Sequence, residues 1–232
     1  PHCETSTGVT HDLEAVGRIA REYDKLLLVD AVSSSGGVEM RFDEWGLDSA
    51  STGSQKGLMS PPGMGFVTLS DRAWKAAESA TNTSGCYFDL RELLEVTGSD
   101  FPGTPGTPPV TIVPAVAEAI TMILEEGLEN VYLRSSKMAE AVRAGFVAAG
   151  LRLFPENVQR RSPTVVVVEV PAGHTSHDLI RVLGEEFGVI PATGLGSYSK
   201  KLLRFGTMGC FYQREAINMV AAVEAALVKM GV

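Results

Sequence analysis

The sequence predicts an α/β protein: a mainly parallel sheet flanked by helices, followed by a smaller α+β unit. Three observations predict it. A helical spacing over residues 12–23 (Leu13, Val16, Ile19, Ala20) leads into Leu26-Leu27-Leu28-Val29 and ends at Asp30, an αβ unit whose strand is apolar on both faces. A second, small-residue strand, Asp48-Ser49-Ala50-Ser51-Thr52, ends in the glycine-flanked loop Gly53-Ser54-Gln55-Lys56-Gly57. Beyond about residue 150 the pattern changes to β-α-β-β-α.

Taken in order, residues 1–8 read as a polar, glycine-ended loop of the kind that follows a strand, and that strand would lie before Pro1. The chain is therefore expected to be the C-terminal portion of something longer. Residues 43–46 predict a short helix before the small-residue strand. Pro61-Pro62-Gly63 is a hard turn, and 65–69 resumes as a strand. Residues 99–109 (SDFPGTPGTPP) exclude helix and central strand, because four prolines and two glycines remove donors and fix or loosen φ. Residues 113–127 are helical, with Val116, Ala119, Ile120, Ile123 and Leu124 on one face, and a longer amphipathic helix runs to about Ala149 before Gly150. Strands are expected at 151–154, 164–170, 189–192 and 202–205. Helices are expected at 178–187, capped by Thr175 or Ser176, and at 214–230. The division expected is a large domain over 1–126 and a small α+β domain over 127–232.

The 232 residues carry a net charge of −8, and their only basic doublets are Arg160-Arg161 and Lys200-Lys201. That balance argues against nucleic acid, which needs clustered cations to neutralise phosphate. No apolar run approaches the ~20 residues of a membrane span: Val165–Val168 is short, and Glu118 interrupts the stretch at 112–124. Cys3, Cys86 and Cys210 are too few and too scattered for a disulfide framework or a zinc site, which makes a reducing cytoplasmic compartment the default. His174-x-x-His177 has metal-like spacing but overlaps a helix cap and has no third ligand nearby, so no metal is expected. Asn82-Thr83-Ser84 fits a glycosylation sequon without any secretory signal beside it. Cys210 reads as a small packed residue rather than a nucleophile.

The residues able to carry chemistry sit where α/β sheets place ligands, at the carboxyl ends of strands. Asp30 ends the most apolar strand, where a carboxylate is costly unless paired. Lys56 lies in the loop after the small-residue strand, and a partly desolvated amine is a better nucleophile. Thr5-Ser6-Thr7-Gly8 follows a presumed strand. Read singly, each has an ordinary alternative. Asp30 and Lys56 serve equally as caps or surface charges, Gln55 as a turn residue, Arg204 as a structural ion-pair partner, and residues 99–109 as a plain linker.

The combination is more specific. HCETSTGV (2–9), VDAVSS (29–34) and GSQKGL (53–58), in this order and spacing, resemble the class V aminotransferases among the fold-type I pyridoxal-phosphate enzymes. DEWGLD (43–48) and the Pro61-Pro62-Gly63 turn look most like the serine/alanine–glyoxylate branch. The resemblance runs from Pro1 to the last helix. It implies the C-terminal part of a fold-type I transferase using pyridoxal 5'-phosphate, with Lys56 as the Schiff-base lysine that also shuttles the substrate's Cα proton. Asp30 matches the carboxylate that keeps the pyridine nitrogen protonated, and Thr5 the hydroxyl on the ring's phenolic oxygen. Val32 matches the residue lying against one ring face, and Gln55 a phosphate contact. Arg204, in Leu203-Arg204-Phe205-Gly206, matches the clamp on the substrate α-carboxylate, a task suited to a bidentate guanidinium. Thr107 matches a residue that reaches the phosphate of the neighbouring subunit, which implies a homodimer with shared sites. Thr104 departs from the pattern, standing where relatives place a tyrosine.

The implied activity moves an amino group from serine or alanine to glyoxylate or a similar 2-oxo acid by ping-pong kinetics. Within the same fold, cysteine desulfurases are expected to have His before the lysine and a mobile Cys, and 2-aminoethylphosphonate transaminases Asn. Gln55-Lys56 favours the glyoxylate branch. From a different class comes the reading of a truncated, catalytically incompetent fragment. The family's phosphate-cupping loop and ring-stacking aromatic precede the position matching Pro1, and backbone donors at a helix N-terminus supply much of phosphate affinity.

Overall fold

A computed structural model describes residues 1–81, 85–100, 103–104 and 106–232. The sequon at 82–84 and part of the proline-rich segment lie outside the described residues. The chain opens with a small antiparallel hairpin, β1 (Cys3–Glu4) and β2 (Val9–Thr10). Asp12 then caps α1 (Leu13–Glu22) by accepting from the Ala15 N–H. β3 (Leu28–Asp30) pairs in parallel with β4 (Ser49–Gly53), and β5 (Gly65–Leu69) adds antiparallel to the far side of β4.

The first strand differs from expectation in place and burial. It begins at Leu28, because the Leu27 N–H donates to Asp48 and the Leu27 carbonyl accepts from Asp48 and Ser49 N–H. Val29 and Ala50 point to the covered face, packing with Leu13, Ala31 and Leu47. The opposite face carries Leu28, Asp30, Ser51 and Val67, and it is open among the described residues, Leu28 being 69% exposed. Asp30 is thus exposed rather than buried.

Residues 43–46 form a single turn rather than a helix, closed by Gly46 at φ +68. Two helices carry no expectation from the apolar spacing: α2 (Asp71–Ser79), capped by Ser70, and α3 (Leu90–Thr97), capped by Asp89. α4 (Val113–Glu126) and α5 (Leu128–Ala148) meet at Gly127.

The second sheet has the order β6 (Val165–Glu169), β8 (Leu202–Gly206), β7 (Ala192–Thr193), all antiparallel. α5, α6 (Ser176–Phe187) and α7 (Gln213–Met230) cover one face, burying Val142, Phe146, Val166, Leu183, Phe205 and Leu227. Phe146 and Phe205 meet edge-to-face at 4.7 Å, so truncating Phe146 to Ala should cost about 3–5 kcal/mol. β6 is buried on both faces because the N-terminal hairpin packs on the other side: a Cβ on Gly8 would stand 2.7 Å from Val167 Cγ2. Thr175 forms a capping box with Asp178 at the start of α6.

Two expected strands shrink for the same physical reason. Residues 151–154 leave only a bridge between Leu153 and Val168, since Pro155 ends the ladder, and the strand near 189–192 starts after Pro191. No helix among the described residues is long and apolar enough to cross a membrane.

Candidate active site

The site forms where the first sheet's carboxyl ends meet the hairpin and β8. Asp30 ends β3, and its Oδ1 accepts from the Val32 N–H at 2.9 Å, turning the chain sharply into 31–37. Lys56 rides on the loop after β4. Ser54, fully buried, holds that loop at both ends: its Oγ donates to the Pro61 carbonyl and accepts from the Met64 N–H, while its carbonyl accepts from the Ser60 N–H. Inside it, the Met59 N–H donates to the Lys56 carbonyl at 2.9 Å, and Met59 adopts φ +58. Gln55 is exposed and folds back over Gly53, where a Cβ would come within 2.7 Å of its Oε1.

The Asp30 and Lys56 loops touch through glycines, a Cβ on Gly36 standing 2.7 Å from the Gly57 carbonyl. Lys56 is half-buried as a residue, its Nζ has no hydrogen bond or ion pair among the described residues, and the Asp30 carboxylate has no cationic partner among them.

Arg204 approaches from the second sheet. Its Nε donates to the Thr193 carbonyl at 2.5 Å, and Nη1 reaches the Thr5 carbonyl at 3.5 Å. Burial pulls its pKa below the ordinary arginine value, with the nearby Glu4 charge opposing that shift. The alternative of a structural ion pair finds no support: no carboxylate bridges Arg204 among the described residues. Thr5 Oγ1 lies 2.5 Å from Ser33 Oγ, and the half-buried Val32 sits between Asp30 and Ser33.

The structure links the segments that carry Thr5, Asp30, Val32, Gln55, Lys56 and Arg204: Arg204 reaches the Thr5 carbonyl, Thr5 meets Ser33 on the turn after Asp30 and Val32, and Gly36 on that turn abuts Gly57 beside Gln55 and Lys56. Thr107 stands apart, exposed on the loop before α4 and sharing no hydrogen bond with them. Cys210 is exposed rather than packed, with Sγ 3.4 Å from Met59 Sδ, because Gly209 carries the chain against Met59 and the Lys56 carbonyl.

Sequence reasoning misses Ser33, Ser54 and Arg134. Arg134 pairs with Glu126 and donates to the Gly209 carbonyl, steadying the loop beside Lys56. Only Ser54 had a legible signal, a small hydroxyl flanking the lysine loop. Ser33 is indistinguishable from Ser34 in sequence, and Arg134 lies on a helix with no motif.

The mixed α/β architecture, with Asp30 ending β3, Lys56 on the loop after β4 and Arg204 in the middle of β8, is that of the fold-type I transferase class. The chain belongs to the class-V aminotransferase family, whose profile matches residues 1–217. It is 38% identical to the L-aspartate–glyoxylate aminotransferase of Paracoccus denitrificans, over 99% of this chain and 58% of that protein. It is 34% identical to the serine–glyoxylate aminotransferase of Methylorubrum extorquens, over 100% and 58% respectively. The crystal structure of the ureidoglycine–glyoxylate aminotransferase of Bacillus subtilis superposes with a TM-score of 0.89 at 36% identity, covering 100% of this chain and 60% of that one. The chain thus spans somewhat over half the length of these relatives.

Proposed function

We propose that this chain belongs to an aminotransferase that moves an amino group from a small amino acid, serine or alanine, to glyoxylate or a similar 2-oxo acid by a ping-pong sequence. One observation carries this reading. Arg204 is half-buried with no carboxylate partner among the described residues, and it reaches the Thr5 carbonyl, whose residue meets Ser33 on the turn that follows Asp30. The names of the three relatives share glyoxylate and differ in the amino donor.

The residues present fit part of pyridoxal 5'-phosphate: among the described residues, Lys56 is an amine without a partner, Asp30 a carboxylate without a cation, and Thr5 a hydroxyl bonded only to Ser33, while the phosphate-cupping loop the resemblance implies precedes the position of Pro1. When bound, the cofactor supplies an aldehyde and a ring that withdraws charge from the substrate Cα. Lys56 is the residue that would hold it, and its amine would move the proton at the substrate Cα. Asp30 would keep a proton on the ring nitrogen, Thr5 would donate to the phenolic oxygen, Val32 would cover a ring face, and Gln55 would contact the phosphate. The guanidinium fork of Arg204 takes the α-carboxylate. Thr107, exposed and clear of this chain's own site, reaches the phosphate of a neighbouring copy in a homodimer. The same reading divides the chain into 1–126 and 127–232, with Gly127 at φ +85 as the joint, and the scattered cysteines favour the cytoplasm.

The test is the visible spectrum of the chain mixed with pyridoxal phosphate, followed by borohydride reduction and peptide mapping. A protein-bound band with the label on Lys56 is expected. No band, or label scattered over surface lysines, overturns the claim that this length of chain holds the cofactor and favours the incompetent-fragment reading.

A further inference from the structure

We propose that Ser33 is a positioning residue that makes the Thr5 hydroxyl a committed donor into the site. The inference rests on the reading of Thr5 given above and adds to it a residue to which the resemblance assigns no role. Ser33 is buried, at 4% exposure, and its Oγ stands 2.5 Å from Thr5 Oγ1 with no other partner among the described residues.

Two hydroxyls sharing one bond leave one proton over. Where Ser33 donates, Thr5 accepts on one lone pair and keeps its own proton for a group in the site. Where Thr5 donates to Ser33, that proton is spent inside the protein. An acceptor in the site, such as a phenolic oxygen, selects the first arrangement.

Ser33 can hold this role because its backbone is fixed from the other sheet. The Thr164 hydroxyl, fully buried, donates to the Ser33 carbonyl at 2.6 Å. Thr164 is in turn bonded to Ser162, whose Oγ accepts from the Cys3 thiol at 2.9 Å. The Thr164 carbonyl accepts from the Thr207 N–H, just past the strand that carries Arg204. Thr5 is pinned at its carbonyl by Arg204 and at its hydroxyl by Ser33. Thr5 and Arg204 are thus joined by one connected series of hydroxyl and backbone hydrogen bonds.

Losing the Ser33 hydroxyl frees Thr5 χ1 and removes its fixed donation. A donor on the phenolic oxygen draws charge from the atom that shares the proton on Lys56 Nζ. Without it, that proton is held more tightly, and the pH midpoint of the bound cofactor's visible band rises, by roughly half to one unit.

The experiment has two arms. The first uses the cofactor-free chain with labelled threonine methyls and reads Thr5 χ1 from three-bond NMR couplings. The expected result is one rotamer in the wild type, averaging in Ser33→Ala, and one rotamer again in Ser33→Thr. Thr5 remaining in one rotamer in Ser33→Ala overturns the proposal. Ser33→Cys keeps the volume with a weaker donor, and it carries the same test with partial averaging should Ser33→Ala fail to fold.

The second arm titrates the visible band after loading with pyridoxal phosphate. A midpoint raised in Ser33→Ala and restored in Ser33→Thr supports the proposal, and an unchanged midpoint overturns it. Failure of the wild-type chain to give a Lys56-linked band overturns the functional reading instead, and the first arm then decides the role of Ser33.

Discussion

Gly36 and Gly57 meet backbone to backbone: a Cβ on Gly57 would lie 2.1 Å from the Ser35 carbonyl oxygen, and one on Gly36 2.7 Å from the Gly57 carbonyl. This contact sets the spacing between the loops that carry Asp30 and Lys56. Gly57→Ala places a methyl against backbone that cannot rotate away, and Gly57 is buried. The expected cost is about 1–3 kcal/mol, read as a lower urea midpoint, together with weaker labelling of Lys56 by pyridoxal phosphate. A variant as stable as wild type would show that the loops separate freely.

Arg134 grips Glu126 through Nε and Nη2 while donating to the Gly209 carbonyl through Nη1. Hydrogen bonding to Arg134 holds the Glu126 carboxyl below its ordinary 4.5. Its contribution is therefore complete above that value and is lost as pH falls through the lowered one. Arg134→Met should cost about 2 kcal/mol at neutral pH, the partial exposure of the pair limiting the figure. It should also remove this part of the acid dependence, which denaturant titrations between pH 6 and 3 would reveal.

His2 is buried against Trp45, at a ring distance of 6.3 Å, and its Nδ1 has no partner among the described residues. Burial, reinforced by the charges of His11 and the N-terminus, lowers its pKa from 6.5 to about 4. The unfolded chain binds the proton first, so stability is complete above 6.5 and declines as pH falls towards 4. The whole window is worth up to about 3 kcal/mol. Urea midpoints at pH 7 and pH 5 should differ in the wild type and converge in His2→Gln. A wild-type protein equally stable at both values would contradict the assignment.

Arg204→Lys keeps the charge and loses the fork. On the assembled enzyme, KM for the amino donor should rise about 10–100-fold while kcat changes little, because the clamp acts on ground state and transition state alike. Steady-state kinetics with serine and alanine would check this, and an unchanged KM would place the carboxylate elsewhere.

Much of the architecture was legible because it is written in local spacing. α4, α5 and α7 begin and end within a residue or two of their apolar periodicity, and β5 falls where expected. Elements set by distant partners were harder to read. Leu28 is as apolar as its neighbours, yet its exposure depends on what covers the sheet, which no single strand encodes. Residues 151–154 have strand composition, but Pro155 stops their pairing. α2 and α3, capped by Ser70 and Asp89, lie in segments whose apolar pattern is weak, and the spacing predicts neither.

In the candidate site, the charged residues stand out by chemistry and motif. Ser33 does not, because its role comes from Thr164, 131 residues away in the chain. Cys210 also depended on distant structure: its exposure follows from how Gly209 abuts the lysine loop.

The N-terminal hairpin has a consequence for how the protein is made. Its partners are residues 161–167, through the Val9–Arg161 bridge, the Ser162 N–H on the Gly8 carbonyl and the Cys3–Ser162 bond, which spans 159 positions. Contacts of such separation form late, after the entropy of a long loop has been overcome. On a ribosome adding ~5–20 residues per second, the segment bearing Thr5 waits roughly 8–30 s for the strand it docks on. The β3–β4 pair can close meanwhile, so Asp30 and Lys56 are brought together first, and Thr5 and Arg204 join only when the second sheet has emerged.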